Sequence, residues 1–86
     1  MSKTVIVEPT TDIIEGGEFY VFSHHLHVGD EVEIHREYKG IRGRVIATGK
    51  IVASGIDDPR ASVPHPQNGN ANAWKNYWKV QVKEIL

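Results

Sequence analysis

The segment from Ile41 to Ser54, IRGRVIATGKIVAS, is the longest apolar-rich stretch of the chain, and Gly43 and Gly49 interrupt it. Glycine inside a strand pattern marks a bulge or a sharp bend. The segment therefore reads as one long bent strand, or as two strands, of a small sheet that curls on itself.

The flanking sequence supplies further strands. Thr4 to Val7 is a short β-branched run ended by Pro9. Thr10, Thr11 and Asp12 suit the cap of a brief helical turn over Ile13 and Ile14, which Gly16-Gly17 would break. Glu18 to Phe22 is aromatic and β-branched and reads as a strand. Val28-Gly29-Asp30 is a turn into Glu31-Val32-Glu33-Ile34-His35, which alternates apolar and polar residues strictly. A second turn is expected at Glu37 to Gly40. Tyr77 to Ile85 closes the chain as a strand, with Trp78, Val80 and Val82 on one face and Lys79, Gln81 and Lys83 on the other. Between them a long loop covers about residues 55–73, with Pro59, Pro64, Pro66 and Gly69. Loops of that length in small domains are commonly functional or disordered. The expectation is a mostly β fold, a small pseudo-barrel of about five or six strands with at most one or two short helical turns.

The 86 residues form one domain spanning 1–86. The absence of cysteine removes disulfides, zinc–thiolate sites and thiol nucleophiles. No apolar run approaches the roughly 20 residues that span a bilayer, and Val5-Ile6-Val7 is too short for a signal peptide. A cytoplasmic setting away from membranes is expected. The formal net charge of −1 argues against a protein that coats phosphates indiscriminately. The charge is nevertheless segregated. Most acids lie in the first 37 residues, whereas Lys39, Arg42, Arg44 and Lys50 follow one another with no acid between them. That stretch is either a basic binding face or an ordinary solvated surface.

Three histidines fall in Ser23-His24-His25-Leu26-His27. In an extended segment His25 and His27 share a face, and His35 or His65 could add a third ligand. No carboxylate or cysteine sits at a recognised metal spacing, so no metal and no cofactor are expected; His24 better suits a nucleic-acid pocket. Catalytic motifs are missing too. There is no Gly-x-Ser-x-Gly elbow, no His-Glu-x-x-His helix and no phosphate-binding Gly-x-x-x-x-Gly-Lys loop. Enzyme activity ranks below binding.

The C-terminal aromatic cluster carries the strongest functional signal. Trp74, Tyr77 and Trp78 lie close together with Lys75 and Lys79 interleaved. Aromatic faces that stack bases, beside cations that meet phosphates, are the chemistry of single-strand and flipped-base recognition. Trp78 is in phase with Val80 and Val82 and belongs to the core. Trp74 follows a polar loop and is either an exposed stacking residue or a plug at one barrel end.

The order VGDEVEIHREYKGIRGRVIATGKIVAS, a Pro/Asn-rich loop and WKNYWKVQVKEI resembles the PUA-like superfamily, and within it EVE-type domains. The resemblance rests on Gly29-Asp30, on Lys39-Gly40-Ile41 through Ser54, and on Trp74 with Tyr77 to Val82, and covers roughly residues 18–85. It implies a twisted pseudo-barrel with a cleft that accepts a nucleobase. The tryptophan-led opening strand of EVE domains is replaced by Glu18 to Phe22, and the Lys-x-x-Thr pattern of the related ASCH hydrolases is not evident before Gly29.

The leading expectation is a nucleic-acid-binding module, for DNA or RNA, recognising a modified or flipped base through Lys39, Arg42, Arg44, Trp74, Tyr77 and His24. The alternative is a small interaction or inhibitor protein, phage- or mobile-element-encoded, that binds another protein. An ASCH-type modified-nucleoside hydrolase ranks third.

Overall fold

The computed structural model describes residues 2–57 and 71–86 and, for 71–73, the backbone alone. Five strands form one sheet: β1 (Lys3–Val7), β2 (Glu18–Phe22), β3 (Glu31–Tyr38), β4 (Ile41–Ser54) and β5 (Tyr77–Ile85). Their order is β1-β3-β4-β5-β2. β1 runs parallel to β3, and the other pairs are antiparallel. The sheet curls into a half-barrel. The strand expected at Ile41 to Ser54 is one continuous element at the middle of the sheet.

The curl comes from irregularities in β4 and, at Lys83, in β5. The register of β4 with β3 shifts between Ile34 and His35 and again between His35 and Glu37; its register with β5 shifts at Thr48/Gly49 and Ile51/Ala53. Each extra residue bends the strand and increases its twist. Gly49 lies where the strands approach closely. A Cβ there would lie 2.7 Å from the Gln81 carbonyl oxygen and 3.3 Å from Ile34 Cδ1.

The concave face is the core. Val5 and Val7, Val32 and Ile34, Ala47 and Ile51, and Val80 and Val82 are buried there, joined by Leu26 from the β2–β3 connection. Alternation in each strand selects these residues and turns Ile6, Glu33, Gln81 and their neighbours outward. Trp78 packs against the core, half-buried, and its indole N–H donates to the Ser23 carbonyl (2.9 Å).

Three local expectations are corrected. No helical turn forms over Ile13 and Ile14. Instead the chain makes a tight turn in which Gly17 N donates to Ile14 O, and the next contacts are to β5: Gly16 N to Val82 O and Val82 N to Gly17 O. Those sheet bonds hold the segment extended and lead it into β2. Second, the turn expected at Glu37 to Gly40 is shorter, because β3 continues to Tyr38. Lys39 and Gly40, with φ of 52° and 78°, make a two-residue hairpin whose positive dihedrals match the strand twist. Third, part of the expected 55–73 loop is ordered as 3-10 turns at Gly55–Asp57 and Ala71–Asn76; residues 58–70 lie outside the described residues.

Candidate functional site

β1 and β2 are the two ends of the curled sheet, and their edges, unpaired among the described residues, border a seam. A groove of about 560 Å³ runs along it, lined by Ile6, Val7, Glu8, Thr11, Phe19, Tyr20, Val21, Phe22, Glu37 and Tyr77. A smaller hollow of about 240 Å³ continues it past Ile6, Val21 and Phe22 to Ser23 and Leu26. Phe19 and Val21 turn toward the core and Tyr20 and Phe22 turn outward, and residues of both parities line the groove.

Phe22 is 55% exposed and is the aromatic centre of this surface. His24 stands edge-on to it, with ring centroids 5.0 Å apart and planes at 85°. Tyr77, opposite Phe22 in the β2–β5 register, approaches at 5.5 Å and 72°. Lys79 Nζ lies 5.6 Å from the Tyr20 ring centroid and 4.0 Å from Glu18 Oε1. Of the expected site residues, His24 and Tyr77 are thus brought together, and both touch a residue that sequence reasoning did not assign to the site. The signal for Phe22 and Tyr20 was present in the parity of β2.

Trp74 is not an exposed stacking residue. It is only 6% exposed, and its ring packs at 5.5 Å from Tyr77. The Gly55–Asp57 turn packs against its backbone: a Cβ at Gly55 would lie 2.5 Å from Trp74 O and 2.8 Å from Tyr77 Cβ. Trp74 backs Tyr77 from within.

Lys39, Arg42 and Arg44 are exposed on the β3–β4 hairpin and form no ion pair among the described residues. Arg42 is the register partner of Glu37, which lines the groove. The basic hairpin therefore lies toward one end of the groove, and Tyr77, with Lys75 and Lys79 beside it in sequence, toward the other.

Two polar devices hold the groove's surroundings, and neither was singled out from sequence. Arg36 occupies the inward parity of β3 after Val32 and Ile34, where the strand outruns the apolar core. Its Nη1 donates to the carbonyls of Glu8 (3.2 Å), Pro9 (2.7 Å) and Thr11 (2.8 Å). It thereby fixes the segment that forms the groove's Glu8–Thr11 end. At the other side, Lys3 Nζ donates to Asp30 Oδ2 and to the His25 carbonyl, both at 2.7 Å, and His27 N donates to the same Asp30 oxygen at 2.8 Å. The Lys3 ammonium and the His27 amide hold the Asp30 carboxyl below its ordinary range. This latch ties the histidine loop to β1.

The histidines do not converge. His35 Nδ1 is hydrogen-bonded to the Gly43 carbonyl (2.9 Å), and the His27 ring lies 6.2 Å from Trp78. Among the described residues no three His, Cys, Asp or Glu are grouped so as to hold a metal ion; His65 lies outside them. Nor does any helix among them have the length and apolarity to cross a membrane. No family model matches the chain, and no curated protein or solved structure matches it.

Proposed function

We propose that the domain binds nucleic acid, taking one unstacked base into the groove between β1 and β2 while cations at both ends of the groove meet phosphates. One observation carries this reading: an exposed phenyl ring, Phe22, flanked edge-on by His24 and Tyr77, in a slot of about 560 Å³. That volume suits a base-sized ligand, and aromatic rings offer stacking that any base can use. Lys39, Arg42 and Arg44 supply charge at one end, and Lys75 and Lys79 at the other. The resemblance to EVE-type domains agrees with this reading and adds a modified base as a ligand.

The test is a titration of the protein against single-stranded, duplex and base-modified oligonucleotides at two salt concentrations. Binding that favours unpaired or modified bases and weakens as salt rises is the expected result. Absence of binding to every oligonucleotide at low salt overturns it.

A second reading is favoured by the unpaired edges themselves. Ile6 is 48% exposed beside the open edge of β1, and Phe22 flanks the open edge of β2. An extended peptide could add as a further strand along either edge, its apolar side chains seated in the groove. The near-neutral net charge of the chain suits a protein partner equally well. A partner captured without nucleic acid, and lost on substitution of Ile6 by Asp, distinguishes the two.

A further inference from the structure

We propose that the groove selects bases whose pairing edge carries an amino group, cytosine, adenine and guanine, over thymine and uracil. This rests on the nucleic-acid reading above and adds the chemical class of the base. The argument begins with the charged side chains that line the groove. They are Glu8 and Glu37; no lysine, arginine, histidine or amide side chain lines it among the described residues.

Neither carboxylate has an ion-pair partner among the described residues. Elsewhere on the outer face Glu18 holds Lys79 at 4.0 Å and Glu31 holds Lys83 at 3.6 Å. Glu8 and Glu37 form no ion pair among the described residues, although cations are close in the fold. Arg36 is directed at the Glu8, Pro9 and Thr11 carbonyls. Arg42 is the register partner of Glu37 and is exposed, yet makes no ion pair with it. Among the described residues the groove is therefore an aromatic and apolar slot whose charged side chains, those of Glu8 and Glu37, accept hydrogen bonds.

Such a slot repels phosphate, which assigns the phosphates to the outlying cations and the base to the slot. It also discriminates among bases. A carboxylate accepts from the amino group of cytosine, adenine or guanine. Thymine and uracil instead place two carbonyl oxygens around one N–H, and a carboxylate meets repulsion from both. A well-placed contact of this kind is worth about tenfold in discrimination.

The experiment compares equal-length single strands of deoxycytidine, deoxyadenosine and deoxythymidine at one low salt concentration, with the full chain and with Glu8→Gln and Glu37→Gln. Both substitutions keep side-chain size, and unchanged melting temperatures establish that the variants fold. The wild type is expected to bind the cytidine and adenosine strands about tenfold tighter than the thymidine strand. Glutamine can donate to a carbonyl, so at least one variant should bind the thymidine strand tighter and narrow the gap. Equal binding of the three strands by the wild type overturns the proposal. So does a preference that survives both substitutions, or a tightening that is uniform across the strands. In each of those outcomes the nucleic-acid reading stands, whereas failure of the wild type to bind any strand removes both.

Discussion

Phe22 and Tyr77 face one another across the β2–β5 pair, ring centroids 5.5 Å apart and planes inclined at 72°. The relationship places one exposed ring against one half-buried ring, and Trp74 lies behind the second at 5.5 Å. The three aromatics thus grade from solvent to interior. Phe22 is available to a ligand, and Trp74 serves the fold.

That gradation predicts different outcomes for Trp74 and Phe22. Trp74→Ala removes a buried indole and should destabilise the domain by about 3–5 kcal/mol. For a small domain whose total stability lies near 5–15 kcal/mol, much of the margin is lost. Chemical denaturation with tryptophan-independent detection measures it. A variant as stable as the wild type contradicts the packing described here.

Arg36 should matter to the fold more than its charge suggests. Three carbonyls of the β1–β2 connection share its guanidinium, and charge-assisted hydrogen bonds contribute about 1.5–3 kcal/mol. Arg36→Met keeps much of the side-chain length and removes the donors. The expected result is a loss of stability in that range, with faster amide exchange around Pro9 to Asp12. Unchanged exchange there rules out the clamp.

Much of this architecture was legible in the sequence, and the exceptions share a cause. Strict alternation in Glu31 to His35 and in Trp78 to Val82 located β3 and β5, and the glycine-interrupted run located β4. Local pattern did not reveal that β1 pairs in parallel with β3, because that pairing joins segments distant along the chain. The polar loop before Trp74 leaves both an exposed stacking residue and a plug at one barrel end open. The Gly55–Asp57 turn packs against the Trp74 backbone, and no spacing rule connects the two. Phe22 could have been found, since Phe19 and Val21 turn inward and leave Tyr20 and Phe22 outside. Arg36 interrupts an otherwise apolar parity, which marks it as special but does not name its three acceptors.

Asp30 should make the fold sensitive to acid. Its carboxyl is held below the ordinary value by Lys3 and by the His27 amide. A depressed folded-state pKa stabilises the fold above the unfolded value of about 3.9, and that contribution disappears as pH falls through the lower folded value. Asp30→Asn should therefore reduce stability at neutral pH and flatten its decline below about pH 4. Melting curves of both proteins across that window test this. Parallel pH profiles contradict it.

The most direct test of the central claim is Phe22→Ala in the oligonucleotide titration. The ring is exposed, so the substitution should leave the melting temperature nearly unchanged. Stacking of one base is worth about 1–3 kcal/mol, so affinity for single strands should fall by roughly one to two orders of magnitude. A folded Phe22→Ala protein that binds single strands as tightly as the wild type contradicts the assignment of the groove as the base site.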